Sequence, residues 1–441
     1  MALFSTEWLI ASLVACGGPT DEPVGTTDGS ASIDVTGLKA EVSTAIATVV
    51  TVSFTADVQG ALTVAFGVEG ALDREAPVVS DGTSHTALLL GLPADTNVSY
   101  AVRVDGADGP TQTVLTGSLP AGVPATTTTG PRDGFVLTSR TTDFGDWILM
   151  LNGEGQVVWY HADTGGLSTF RARPSVDGSG IVYSRAIVAG GPSPDSALVR
   201  VSWDGETASE IAVPDLAHDF VEVADGTLVS LRYETREGIE GNDLVSVSAT
   251  GEATQIWSAW DCWDPAIHIG DDPDHGWTHA NALDLDEATG LYLVGLRNFA
   301  TISAVDASAR SCAWGFGGVG GTVDVEGAAF LHQHQFEWAG DRMLVFDNDG
   351  APGTVSRTIE YSFDVAAGTA TEVGVRRATP DLYSFIMGDV LPTESGGTVA
   401  LWSVPGVIID FDAAGAETWR LTFTDKGPLG FMTLLDTPYE Q

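Results

Sequence analysis

Apolar and polar residues alternate with a period of two along most of the chain, and Gly, Pro, Asn or Asp interrupt the alternation at short intervals. That period puts successive side chains on opposite faces of an extended strand. Between residues 31 and 120 it marks strands at 48–57, 61–70, 85–93, 98–106 and 111–120. Residues 121–131, rich in Thr and Pro, read as a short stiff linker. From residue 132 onward the pattern becomes an internal repeat. Six segments, 148–160, 198–211, 244–257, 302–316, 359–373 and 407–421, each hold an apolar strand, a polar turn at Gly or Ala and a second strand, often with Trp. Their spacing of roughly 46 to 58 residues suits a four-stranded blade, so six outer hairpins predict a six-bladed β-propeller over 132–441.

The expected fold class is therefore all-β, a sandwich followed by a propeller. Residues 92–100 resemble the corner of a fibronectin type III sandwich, in which a tyrosine hydrogen-bonds back across the turn. Tyr100 would then be structural, its hydroxyl satisfied by local backbone, and His85 a surface or packing residue.

Four inner hairpins align by their turns, and they begin at His218, His279, His334 and Gly388. The innermost strand of each blade lines the central channel, so equivalent positions of neighbouring blades converge near the axis. Three successive blades place a histidine there. Arg297 closes the hairpin begun by His279, and Arg232 holds the matching place one blade earlier. His332, two residues before His334, is expected on the same strand face as a supporting partner. His161, His268 and His275 fall outside the register and read as structural.

Two chemistries could use such a ring. Imidazoles from His218, His279, His332 and His334 could bind a metal, with His-x-His as a ligand pair. Alternatively, imidazole nitrogen is a competent nucleophile, and Arg and Asn donors stabilise charge on an anionic tetrahedral group. Arg297 and Asn281 favour anion chemistry without a metal or other cofactor, because guanidinium is not a normal metal ligand.

Composition narrows the partners. The formal net charge is −41, from 60 acidic against 19 basic residues. Such a surface repels nucleic acid and anionic membrane. The first sixteen residues, ending in Leu13-Val14-Ala15-Cys16, resemble a bacterial lipoprotein signal, which implies removal of residues 1–15 and a lipid on Cys16. Residues 16–30 would be a flexible tether, so the membrane is met only through the anchor, in the periplasm or on the outer surface. An ordinary cleaved signal is the second reading. In that setting Cys262 and Cys312 form either a disulfide or two separate buried thiols.

Trp277-Thr278-His279-Ala280-Asn281-Ala282-Leu283 with Leu296-Arg297-Asn298 resembles the central motif of the bacterial arylsulfate sulfotransferase family. His218-Asp219-Phe220, Gln333-His334-Gln335, Leu344-Val345-Phe346-Asp347-Asn348 and Ser356-Arg357 resemble its flanking motifs in the same order. The resemblance implies sulfuryl transfer from a phenolic sulfate ester to a phenol acceptor, without a nucleotide donor. His334 would attack sulfur and become a transient sulfohistidine. His218 and His279 would bind sulfuryl oxygens or exchange protons, and Asn281 with Arg297 would complete the anion cradle. Relatives with this domain pair are compatible with a homodimer. A contrasting reading of the same residues is a non-catalytic, surface-displayed propeller that binds sulfated or aromatic anions.

Overall fold

The structure, a computed structural model, describes residues 35–439 apart from 59, 144, 188–190, 271–275 and 349–354. The expected signal, Cys16, the tether and His275 lie outside the described residues.

The N-terminal unit is a β-sandwich. One sheet runs Val35–Val42, Val50–Ala56, Ser84–Leu89, Val79–Asp81. The other runs Arg74–Pro77, Leu62–Val68, Asn97–Val104, Ala107–Asp108, with Gln112–Leu115 also paired to Asn97–Val104. Alternate residues of both sheets, among them Val52, Phe54, Val64, Phe66, Val98 and Val102, fill the shared core. Tyr100 is buried there, but its hydroxyl donates to the Gln112 side chain at 3.1 Å rather than to local backbone. Residues 112–115 run beside Asn97–Val104 and bring Gln112 directly opposite Tyr100, which satisfies the hydroxyl first. His85 is a packing residue, stacked on Phe54 and hydrogen-bonded to Ser80 Oγ and the Ala56 carbonyl.

Six blades follow around an axis, each built on four antiparallel strands, with Asp324–Glu326 added to blade 5 as a fifth strand parallel to Thr369–Arg376. Each outer hairpin foreseen from the repeat is the third and fourth strand of one blade. The innermost strands of blades 2 to 6 are Ser168–Pro174, Leu216–Glu222, Ala280–Asp286, Phe336–Trp338 and Asp389–Pro392. Blade 1 takes its innermost strand, Leu429–Leu435, from the C-terminal end of the chain, paired with Phe135–Thr142. That pairing closes the ring and removes two sheet edges. The segment expected as a linker is partly built in: Thr126–Thr129 pairs with Glu417–Phe423 as a fifth, outer strand of blade 6. The unpaired edge of that blade offered N–H and C=O groups that an extended Thr run can satisfy.

Sandwich and propeller share a core. Ile46, Val49 and Leu90 pack into the cluster that holds Trp159 and Trp203. Tyr160 Oη accepts from the Ala47 amide, and Tyr439 Oη donates to the Leu88 carbonyl. A disulfide joins Cys262, just after the outer strand of blade 3, to Cys312 in the outer strand of blade 4.

Candidate active site at the axial mouth

His218, His279 and His334 all lie where the innermost strands of blades 3, 4 and 5 begin, at one end of the axis. The register inferred from the repeat therefore brings them together: the rings of His218 and His279 are 5.2 Å apart, and those of His218 and His334 are 6.4 Å apart, centroid to centroid. All three are buried. Phe170 of blade 2 meets the His218 ring edge-on at 5.3 Å. His279 adopts a left-handed backbone (φ 46°), as does His332 (φ 53°). For residues with a Cβ this conformation is costly and persists only when the surroundings impose it.

His332 departs from expectation. The strand of blade 5 begins only at Phe336, so His332 and His334 do not share a strand face. The left-handed turn at His332 breaks the alternation, and its side chain is half-buried.

His334 is held from behind. Its Nδ1 lies 3.0 Å from Asn348 Oδ1. The Asn348 amide nitrogen donates to the carbonyls of Ser384 (2.6 Å) and Met387 (2.8 Å), which orients the oxygen toward the imidazole. Nδ1 must then carry the proton, and a neutral ring keeps its lone pair on Nε2. Burial, then the Arg297 charge, pull the His334 pKa down to about 3, against the opposing pull of Asn348, so the ring is neutral over the physiological range. His218 is likewise pulled down to about 3, by burial first and then by His334 and Arg297. Its ring is hydrogen-bonded to the Ala280 backbone, and its Nδ1 is a buried nitrogen without a hydrogen-bond partner.

Arg297 follows the second strand of blade 4, with its amide on the His279 carbonyl (3.1 Å) and its guanidinium on Asn298 Oδ1 (2.7 Å). Its charge lowers the pKa of both His218 and His334. Arg232, at the matching place in blade 3, instead faces Asp243 and Glu234. Asn281 is fully buried: its Nδ2 donates to the Gln333 carbonyl (2.8 Å), tying blade 4 to the segment that carries His334, while its Oδ1 has no partner. His161 packs near Tyr183, and His268 bonds within its own turn to the Asp264 backbone. Among the described residues, no group of three or more His, Cys, Asp or Glu side chains is arranged to hold a metal.

Beneath the histidines lies a network not foreseen from the sequence. Arg171 of blade 2 bridges Asp219 of blade 3 (3.2 Å) and Asp389 of blade 6 (3.1 Å), and donates to the Met432 carbonyl of blade 1 (2.6 Å). Asp219 also accepts from the Leu283 amide of blade 4 (3.1 Å) and Gln335 Nε2 of blade 5 (2.8 Å). One buried ionic cluster thus touches all six blades. Asp219 and Asp389 each follow the histidine-register position by one residue, which is the signal that aligned hairpins carried; Arg171 had none, because its blade lacks the histidine.

Residues 122–407, well over half of the chain, match the arylsulfotransferase (ASST) family. The chain belongs to the arylsulfotransferase family. No curated protein matches it in sequence. Among solved structures it is similar to a Bacteroides caccae protein of unknown function, with 12% identity and a TM-score of 0.46 over 68% of this chain and 99% of the other. TolB from Acinetobacter baumannii gives 9% identity and 0.43 over 82% of each chain. Virginiamycin B lyase from Staphylococcus aureus gives 10% and 0.39, over 67% of this chain and 87% of the other. As an arylsulfotransferase-family member, the chain is a sulfotransferase acting on small aryl substrates.

Proposed function

We propose that the protein moves a sulfuryl group from a phenolic sulfate ester to a phenol through a sulfohistidine on His334, with no nucleotide donor. The observation that carries this reading is the His334–Asn348 contact beside two further histidines. In the first half-reaction Nε2 of His334 attacks sulfur, the N–S bond forms and the S–O(aryl) bond breaks. Arg297 stabilises charge on the sulfuryl oxygens, and the departing phenolate takes a proton from solvent. In the second half-reaction the acceptor oxygen attacks sulfur, the S–N bond breaks to leave His334 neutral, and the phenol proton is released to solvent. Sulfuryl transfer, like phosphoryl transfer, passes through a loose in-line transition state, so positioning and electrostatics dominate.

The same reading puts the enzyme outside the cytoplasm on a lipid at Cys16. The Cys262–Cys312 disulfide supports it, since such bonds persist in oxidising compartments.

The test is incubation with a chromogenic phenyl sulfate and a phenol acceptor, followed by peptide mass mapping of any bound sulfuryl group. Transfer is expected in the native protein, with the added mass on the His334 peptide. Turnover undiminished in His334→Ala rejects the assignment.

A further inference from the structure

Four large apolar side chains stand exposed around the histidine mouth: Ile267 (73% exposed), Ile269 (72%), Leu331 (46%) and Phe385 (55%). They occupy the segments that lead into the innermost strands of blades 4, 5 and 6. Each is tied to the site. The His268 carbonyl, between the two isoleucines, accepts from Trp277 Nε1 (2.6 Å), two residues before His279. Leu331 donates its amide to Asp347 (2.9 Å), the neighbour of Asn348. Phe385 follows Ser384, whose carbonyl holds Asn348. Val404, whose amide donates to Ser384 Oγ (3.1 Å), stands at the same end, and the other exposed large apolar residues are dispersed over the sandwich, the outer strands and hairpin turns. Isolated exposed apolar residues are ordinary, but a group on one face beside a cluster of polar side chains marks a ligand surface.

We propose that this rim holds the body of the substrate, and that the preferred phenols and aryl sulfates carry two or more rings and no charge apart from the reacting group. The inference rests on the sulfuryl-transfer reading above and adds its substrate class. Near the axis the histidine rings are 5.2 and 6.4 Å apart, and blades diverge outward, so rim residues on successive blades stand further apart than that. A single ring bridges one inner gap; contact with the rim on more than one blade takes a fused or linked ring system. A net charge of −41 over the chain opposes any further anionic group on that body.

The experiment compares kcat/KM for phenol, 2-naphthol and a steroidal phenol at a fixed donor, in the native chain, in Phe385→Ser and in Ile267→Ser/Ile269→Ser. Burying one more ring against the rim predicts about tenfold preference for 2-naphthol over phenol. Both variants are expected to bring that ratio at least about threefold closer to one. A flat series in the native chain, or a ratio unmoved in both variants, overturns the proposal. If Phe385→Ser fails to fold by circular dichroism, the isoleucine pair alone decides. Calorimetric affinities for phenyl sulfate and 2-naphthyl sulfate keep the two ideas separate. Absence of transfer to every acceptor removes the sulfotransfer reading, while the affinity ratio still tests the rim. A native dimer that Phe385→Ser dissolves also overturns the proposal, since a second copy would then cover the rim.

Discussion

His334 donates from Nδ1 to Asn348 Oδ1 at 3.0 Å, and Asn348 cannot turn around, because its own amide protons are committed to the carbonyls of Ser384 and Met387. The pair fixes both the tautomer and the plane of the imidazole. Asn348→Leu should lower kcat by about 10²-fold with a smaller change in donor KM, since the loss is one of orientation. Asn348→Asp should keep more activity and move the acid limb of the pH–rate profile upward, as a carboxylate raises the pKa of the histidine beside it. An unmoved limb in the Asp variant counts against Asn348 as the positioning residue for His334.

Acid should affect stability before it affects the nucleophile. In the unfolded chain a histidine titrates near 6.5, whereas buried His218 and His334 titrate near 3. Between those values the unfolded state binds more protons, so stability falls as pH drops from about 6.5 toward 3, by up to about 1.4 kcal/mol per pH unit for each ring. Glu337 works the other way: burial, then Asp284, push it up to about 8, so protonation favours the folded state between about 8 and its unfolded value near 4.5. Asp284 and Asp389, whose pKa values burial also raises, add to that offset at the acid end. Denaturant midpoints should therefore begin to fall below about pH 6.5, where the two rings outweigh Glu337, while initial rates on folded enzyme show no titration near 6.5 from His334.

Arg171 should be costly to remove. Arg171→Met leaves Asp219 and Asp389 buried without their cation, and breaking a buried pair in this way costs about 3–5 kcal/mol. Chemical denaturation followed by tryptophan fluorescence measures it. A loss below about 1 kcal/mol would show that the six-blade cluster contributes little to holding the axis together.

Reducing the disulfide should loosen blades 3 and 4 without touching the histidines. The bond closes a loop with a sequence separation of 50 residues. The chain-entropy relation puts its contribution at up to about 4 kcal/mol. Cys262→Ser/Cys312→Ser is expected to lower the denaturation midpoint while leaving KM for a phenyl sulfate within about twofold, since neither sulfur borders the histidine rings.

Much of this architecture was legible from the repeat. Six outer hairpins and the shared register of His218, His279 and His334 follow from strand periodicity and repeat spacing, both of which are local. The alternation failed at His332, where a left-handed residue precedes a strand that starts late, at Phe336, and residue pattern alone does not announce that conformation in a histidine. It also failed at 121–131, where a segment without apolar alternation still pairs at an open edge.

Sequence alone determined the all-β class, the number of blades and the convergence of three histidines, because each depends on residues a strand or a repeat apart. Tertiary structure decided the rest. Blade 1 is completed by Leu429–Leu435, nearly the whole propeller away in the chain from its partner Phe135–Thr142. Arg171 finds Asp389 across 218 residues, and Asn348 takes its orientation from carbonyls 36 and 39 residues further on. These contacts have no period to betray them. They form because ring closure brings unpaired strand edges and buried charges together at the axis, where leaving either unsatisfied costs more than ordering the chain to meet it.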